Sequence, residues 1–68
     1  MTISVTVNEE TYSLAPESTV DTLLNKLEVA SNKVAVERNL EIVPKSSYAS
    51  TILMDGDRIE IVHFVGGG

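Results

Sequence analysis

No cysteine occurs in the 68-residue chain, and histidine occurs only once, at His63. The chain therefore cannot form a disulfide framework, an iron–sulfur cluster or a zinc knuckle. It also has no thiol that could act as a nucleophile or carry a persulfide. Domains of this size often rely on disulfides or a metal, because they bury only about 60% of the surface that the unfolded chain exposes. Any sulfur chemistry in this protein has to use a group other than a thiol.

Positive charge is also scarce. Ten Asp and Glu residues outnumber five Lys and Arg residues, which gives a formal net charge of −5. The basic residues are scattered, whereas a nucleic-acid-binding domain needs a basic patch, so we predict no nucleic-acid partner. An acidic surface either meets basic partner proteins or keeps the protein in solution, and the sequence leaves both interpretations open.

Targeting and membrane-spanning segments are not recognisable in the sequence. The first ten residues, MTISVTVNEE, have neither the charged n-region nor the long apolar h-region of a secretory signal. No apolar run approaches the roughly 18 residues that a membrane helix needs. We therefore expect a soluble, cytoplasmic protein with no membrane partner, and the length predicts one domain.

What is present is a clear alternation of apolar and polar residues, which predicts short β-strands. Residues 3–7 (ISVTV) show it best, and the polar turn Asn8–Glu10 leads from them into a second short run, as in a hairpin. Pro44 ends one of the later runs. The predicted strands cover residues 3–7, 11–14, 33–38, 41–43 and 58–65.

One segment has helical periodicity instead. Its apolar residues recur at i, i+3, i+4 and i+7, which places them on one face of a helix. Ser18 and Asp21 have the spacing of a capping box, and we predict that the helix ends near Ser31–Asn32. The apolar residues on the predicted helix face are Val20, Leu23, Leu24 and Leu27.

The predicted order is strand, strand, helix, strand, short strand, strand. Because one helix covers only one face of a sheet and the elements do not alternate strictly, the pattern favours an α+β fold. We predict a β-grasp (ubiquitin-like) arrangement, a four- to five-stranded mixed sheet packed on one main helix. Residues 1–64 would form this domain, and residues 65–68 a flexible glycine-rich C-terminal tail.

Groups suited to catalysis are dispersed. The segment Asp55-Gly56-Asp57 lacks the ligand-rich loop of a calcium site and is typical of a turn. His63 has no nucleophile beside it, and the glycines are not part of a phosphate-binding motif. We therefore predict that the chain is not an enzyme and that it binds no metal or cofactor itself.

The last strand has an unusual distribution of apolar residues. If Ile59 and Ile61 lie under the helix, alternation places Val62 and Phe64 on the opposite, open face. An apolar pair just before the tail could dock a partner. A loop that covers these residues, or a bulge that shifts the alternation, would account for them equally.

The tail itself, Val65–Gly68, ends in three glycines. Four extended residues span about 13 Å, and residues without Cβ atoms can enter a narrow tunnel in a partner's active site. The terminal α-carboxylate, with a pKa near 3.5, can attack the α-phosphate of ATP if a partner supplies the positioning and the charge. A frayed or incidental end is the alternative interpretation.

These residues resemble the ThiS family of ubiquitin-like sulfur carriers, which serve thiamine biosynthesis. The resemblance covers the whole chain and is densest from Val34 onward, in VAVERNLEIVP (34–44), DGDRIEIV (55–62) and the final HFVGGG. One departure is Tyr48, which stands in the loop where the family often has Trp. Many members also end in two glycines after a different residue, so Gly66 is not taken as essential.

The resemblance implies a specific chemistry at the tail. A ThiF-type enzyme would use ATP to adenylate the carboxylate of Gly68, and a sulfur donor system that draws on cysteine would convert it to a thiocarboxylate. Val65, Gly66 and Gly67 would enter the partner's active site, and thiazole synthase would receive the sulfur. ATP would be bound by the activating partner, and the free carrier would be a monomer.

Three other functions remain open at this point. A related carrier for molybdopterin synthesis uses the same chemistry, although such chains tend to be longer and to lack the I-V-P segment. A modifier joined to lysines would leave covalent adducts on other proteins. A β-grasp interaction domain with an inert tail would keep its function without Gly67 and Gly68.

Overall fold

The computed structural model describes residues 1–63, and within them five strands form one mixed sheet that packs on a single α-helix. The sheet order is β2-β1-β5-β3-β4. Strands β1 and β5 are parallel, and the other neighbouring pairs are antiparallel. The elements are β1 Ile3–Val7, β2 Glu10–Leu14, α1 Val20–Lys26, a 3-10 helix Ser31–Lys33, β3 Val34–Arg38, β4 Glu41–Val43, a 3-10 helix Lys45–Ser47 and β5 Arg58–His63. The predicted α+β class, the order of the strands and the helix along the chain and the first hairpin are confirmed.

Both hairpins close with two-residue turns. Asn8 and Glu9 connect β1 to β2 with φ of 47° and 72°, and Asn39 and Leu40 connect β3 to β4 with φ of 53° and 73°. Two successive positive φ values are the requirement of a type I′ turn, whose twist matches that of the flanking strands. Asparagine tolerates this conformation well, which explains its place at the first position of each turn.

The core lies between the sheet and the helix. Val20, Leu23 and Leu24 of α1 are buried, and Leu27 packs against the core while partly exposed, as the periodicity predicts. Tyr48, which follows the second 3-10 helix, is also buried, and its hydroxyl donates to the carbonyl of Val34 at 3.4 Å. The remaining buried apolar residues are Val5, Val7, Leu14, Val34, Val36, Val43, Leu53, Ile59 and Ile61.

The start of the helix differs from the prediction. The N-cap is Thr19: its Oγ1 accepts from the amide of Thr22 at 3.1 Å, and the Oγ1 of Thr22 accepts from the amide of Thr19 at 3.2 Å. Ser18 instead donates to the carbonyl of Ala15 at 2.7 Å. The prediction of a Ser18–Asp21 capping box is wrong, because the same spacing recurs one residue later and the Thr22 hydroxyl does what a carboxylate usually does.

The end of the helix also differs. The helix ends at Lys26, and Glu28 follows it with φ of 60°, so the predicted end near Ser31–Asn32 is wrong. The amide of Glu28 donates to the carbonyl of Asn25 at 3.1 Å, and that of Val29 to the carbonyl of Leu24 at 2.9 Å. These two bonds form a Schellman motif. Glycine is the usual residue at the left-handed position, so a glutamate there gives no sequence signal of a helix end.

Asp57, buried just before β5, connects three parts of the chain. Its carboxylate accepts from the Met54 amide at 2.8 Å, the Arg38 Nε at 2.8 Å and the Asn39 Nδ2 at 3.0 Å. Burial alone raises the pKa of Asp57, but these three donors and the positive charge of Arg38 outweigh burial and hold the pKa below its ordinary value of 3.8. The second carboxylate of the D-G-D turn therefore has a structural role.

We expect Thr19→Ala to lower the free energy of unfolding by about 1 kcal/mol, because it leaves the first-turn amide of Thr22 without its acceptor. Thr2→Ala, a change of the same size at an exposed residue outside the strands, is the control and should have little effect. Urea unfolding measures both. Equal stability of the two variants would contradict the assignment of the cap.

We expect Asp57→Asn to lower the free energy of unfolding by about 2 kcal/mol near neutral pH, because hydrogen bonds to a charged group contribute about 1.5–3 kcal/mol each. A carboxylate whose pKa is lowered by folding stabilises the protein above its unfolded pKa, and this contribution is lost as the pH falls. The stability difference between the wild type and the variant should therefore shrink from about pH 6 to about pH 3. A difference that stays constant over this range would contradict the role of the charge. Asp55→Asn, which keeps an oxygen for the amide of Ser4, is the matched control.

Candidate functional site

Strand β5 lies in the middle of the sheet, between β1 and β3. Its pairing with β3 is continuous from Arg38 opposite Ile59 to Val34 opposite His63, so no bulge interrupts the alternation in this stretch. Ile59 and Ile61 are buried under the helix, and Val62 is 59% exposed on the other side. The alternation on which the docking prediction depends is thus present as far as His63.

The other predicted site residues lie outside the part of the chain that the structure describes. These are Phe64, the second member of the predicted docking patch, and the tail residues Val65, Gly66, Gly67 and Gly68. The roles assigned to them and to Val62 therefore stay predictions. The boundary between a domain at residues 1–64 and a tail at residues 65–68 falls outside the described residues as well.

The open face of the sheet, defined here as the face away from α1, has two unlike halves. On β1 and β2 it presents small hydroxyl side chains. On β5, β3 and β4 it presents apolar and charged side chains. Val62 of β5 lies opposite Ala35 of β3. Glu37 of β3 lies between Glu60 of β5 on one side and Ile42 of β4 on the other. The hydroxyl side chains are Ser4, Thr6, Thr11 and Ser13.

Two apolar residues of the β3–β4 hairpin are strongly exposed. Ile42 is 68% exposed on the open face, and Leu40 is 82% exposed in the turn. The place of Ile42 on this face, opposite Glu37 of β3, was not predicted from the sequence. The turn at Asn39-Leu40 contains the signal that could have found it, because a two-residue turn fixes which residues of β3 and β4 lie opposite each other.

The charges on the open face are concentrated on two facing strands. Glu37 and Glu60 are directly opposite each other, and both are partly exposed. Arg58 approaches Glu60 from the same strand, with Nε 3.7 Å from Oε2, while its own side chain is 59% exposed. An exposed pair at this distance contributes little free energy. The carboxylate of Glu37 makes no hydrogen bond or ion pair with any residue from 1 to 63.

Other chemically active groups do not converge in this structure. Among residues 1–63 no group of three or more His, Asp or Glu side chains could hold a metal ion. His63 is exposed at the end of β5, opposite Val34. In the same part of the chain, no helix is long and apolar enough to cross a membrane.

Comparison with known proteins places these features in a family. The model of the ThiS family matches residues 5–68. The sulfur carrier protein ThiS of Bacillus subtilis is 50% identical over 50 residues, which cover 74% of this chain and 76% of that protein. The crystal structure of the thiamine biosynthesis protein ThiS from Geobacter metallireducens superposes with a TM-score of 0.82 at 35% identity, covering 97% of this chain and 100% of that one. This similarity confirms the β-grasp fold.

A second kind of relative is much longer. A protein of Paramagnetospirillum magneticum named thiazole synthase is 54% identical over 66 residues, which are 97% of this chain but 20% of that protein. The chain therefore spans about a fifth of the length of this relative.

We expect Val62→Asp to change the free energy of unfolding by about 1 kcal/mol or less, because the side chain is exposed and the change affects mainly strand propensity. Ile61→Asp, one residue earlier, should prevent stable folding, because it buries an unpaired charge. Thermal unfolding followed by circular dichroism compares the two. A large loss of stability in Val62→Asp would mean that this side chain belongs to the core.

Proposed function

Because this chain belongs to the ThiS family, we propose that it is a sulfur carrier of thiamine biosynthesis and that it holds the sulfur as a thiocarboxylate on Gly68. The observation that carries the proposal is the extent of the family match, which continues through the three final glycines to residue 68. The proposal requires Gly68 to be the C-terminal residue of the mature protein, so that its α-carboxylate is free to react.

The first step is activation of a carboxylate. An oxygen of the Gly68 carboxylate attacks the α-phosphorus of ATP, a bond from carboxylate oxygen to phosphorus forms, and pyrophosphate leaves. The product is an acyl adenylate, in which AMP is a good leaving group. A partner of the ThiF type binds the ATP and supplies the charge and the positioning for this step, as the carrier's own role is to present the carboxylate.

The second step introduces sulfur. A sulfur nucleophile at the oxidation level of hydrosulfide attacks the acyl carbon, a carbon–sulfur bond forms, and AMP leaves with the electrons of the broken carbon–oxygen bond. No net oxidation or reduction occurs at the carrier. The sulfur is held by the backbone carbonyl of Gly68, which is why a chain without cysteine can carry it.

Strand β5 determines how the tail is presented. It pairs with β1 at Arg58 and Ile59 and with β3 as far as His63, and this pairing fixes the position from which the tail would be presented. Ordering the residues of the tail in a partner's channel costs on the order of 1–2 kcal/mol per residue, and glycine offers no side-chain contact in return. An apolar contact near the end of β5 offsets this cost, and Val62 with Phe64 would provide it.

The proposed partners are the adenylating enzyme, the sulfur donor system and thiazole synthase. The assignment of thiazole synthase as a partner is supported by the Paramagnetospirillum magneticum protein of that name, because its polypeptide contains a region similar to this chain. A carrier and its acceptor that share a polypeptide meet at a high effective concentration. We propose that the separate carrier is a cytoplasmic monomer that meets each enzyme in turn.

The proposal is tested by the intact mass of the protein after incubation with ATP, the activating enzyme and a sulfur donor. We expect the mass to rise by the difference between one sulfur and one oxygen atom, and fragmentation should place the change on Gly68. A mass that stays constant, or a change at another residue, would contradict the carrier function.

The matched control is the chain without Gly67 and Gly68, which should fold as before and show no mass change. Transfer of the sulfur to a molybdopterin-synthesising acceptor rather than to thiazole synthase would assign the chain to the related pathway. Covalent adducts on the lysines of other proteins would identify a modifier instead.

A further inference from the structure

We propose that Asp55 is a site of spontaneous modification, at which the backbone nitrogen of Gly56 converts the aspartate to isoaspartate, and that the start of strand β1 keeps this site closed while it is in place. The inference goes beyond the proposed function and does not depend on it. It concerns the turn at residues 54–57, which lies immediately before β5.

The sequence singles out Asp55 among the aspartates and asparagines, because it is the only one that is followed by glycine. The nitrogen that attacks the side-chain carbonyl belongs to the next residue, and a glycine has no Cβ to hinder that attack. Asp21 and Asp57 are each followed by a residue with a larger side chain. Asp55 and Gly56 are both exposed, and no other atom lies within 4 Å of the position that a Cβ of Gly56 would take. Water therefore reaches this site freely.

The reaction is an isomerisation that needs no oxidant or reductant. The Gly56 nitrogen attacks Cγ of Asp55, and a carbon–nitrogen bond forms. One water molecule leaves, made of a carboxyl oxygen, the proton of the carboxyl group and the proton of the Gly56 amide. Water then opens the resulting succinimide ring. Hydrolysis of the new bond restores aspartate, whereas hydrolysis of the original peptide bond leaves the backbone running through the former side chain, as isoaspartate.

One residue of β1 holds both reacting groups in the folded domain. The backbone amide of Ser4 donates to Oδ1 of Asp55 at 2.8 Å, and the amide of Gly56 donates to the carbonyl of Ser4 at 2.7 Å. The first bond holds the carboxylate that would be attacked. The second occupies the proton that the attacking nitrogen has to lose. Both bonds must therefore open before the ring can close.

Ser4 lies near the beginning of β1, where the strand is held weakly. Met1 and Thr2 precede the strand and are exposed, and Ile3 packs against the core while only partly buried. The pairing of β1 with β5 begins later, at Thr6. The ends of a chain open at a small cost in free energy, often without unfolding of the rest. We infer that fraying of β1 as far as Ser4 opens the site while the domain stays folded.

The modification alters the backbone at a point on which the fold depends. Isoaspartate adds one carbon atom to the main chain just before Asp57, whose carboxylate accepts hydrogen bonds from Met54, Arg38 and Asn39. A longer turn moves this carboxylate away from its three donors. The modified chain should therefore unfold at a lower temperature than the unmodified chain.

The test follows the modification in water labelled with heavy oxygen, because each opening of the ring adds one labelled oxygen to the modified residue. The full chain is kept at neutral pH and physiological temperature, once folded and once unfolded in urea. Trypsin then releases the peptide 46–58, and its fragmentation distinguishes Asp55 from Asp57. We expect label at Asp55, with the folded chain reacting about ten- to a hundredfold more slowly than the unfolded chain, because two hydrogen bonds must open first.

Two variants separate fraying of β1 from unfolding of the whole domain. Ile3 and Leu27 are both partly buried against the core, so Ile3→Ala and Leu27→Ala both lower the global stability, but only Ile3 is next to Ser4. In the folded state we expect Ile3→Ala to react about threefold faster or more, and Leu27→Ala to react as the unchanged chain does.

Amide hydrogen exchange tests the same point in the unchanged chain, without a substitution. The amide of Gly56 should exchange faster than that of Thr6, which donates to the carbonyl of Asp57 at 2.9 Å two residues further along β1. The slowing of exchange at Gly56 should also match the slowing of the modification, because the same opening limits both.

The absence of label at Asp55 in the unfolded chain, or equal labelling of Asp57, would overturn the assignment of the site. Equal rates in the folded and unfolded chains would show that Ser4 does not close it. Equal acceleration by Ile3→Ala and Leu27→Ala would show that the whole domain has to unfold first, as would a Gly56 amide protected as strongly as that of Thr6. Either result would overturn the role of β1.

Discussion

Two asparagine side chains hold the central strand β5 in register with both hairpins. Asn8 accepts from the Ile61 amide at 2.7 Å and donates to the Ile61 carbonyl at 3.1 Å. Asn39 accepts from the Arg58 amide at 2.9 Å and donates to Asp57 at 3.0 Å. Each asparagine is the first residue of a type I′ turn, so the residue type that suits the turn also satisfies the backbone of the neighbouring strand.

Asn8 contributes a large share of the hydrogen bonds that connect β1 to β5, because the two strands share few backbone contacts. Their register contains only two residue pairs, Thr6 with Arg58 and Val7 with Ile59. Beyond Val7 the chain turns away into β2. The side-chain amide of Asn8 then bonds the backbone N–H and the carbonyl of Ile61, as the backbone of a further β1 residue would do. The parallel pairing is thereby extended to the residue next to Val62.

Much of this arrangement follows from the sequence and some of it does not. Alternation in ISVTV and RIEIV, and the helical spacing of Val20 and Leu23, depend on local periodicity, so the strands, the helix and the burial of Ile59 and Ile61 could be predicted. The helix boundaries could not. Thr22 replaces the expected carboxylate at one end, and Glu28 occupies a position typical of glycine at the other.

The composition of the open face of the sheet was predicted only in part for a related reason. Val62 follows from alternation within one strand, whereas the facing of Glu37 and Glu60 requires knowledge of which strands are neighbours. The order of the strands in the sheet depends on contacts between residues that are far apart in sequence, such as Asn8 and Ile61. Asp57 was correctly predicted to lie in a turn, but its partly buried ion pair with Arg38 arises from the same long-range order.

The central place of β5 has a consequence for how the protein is made. β5 is the last strand along the described chain, and it joins the β1–β2 hairpin to the β3–β4 hairpin. Before it is synthesised, β1 and β3 each lack the neighbour with which they pair in the folded sheet, so neither hairpin has its edge covered. The sheet can close only once this strand has been synthesised. Chains interrupted before it therefore lack the strand with which both hairpins pair.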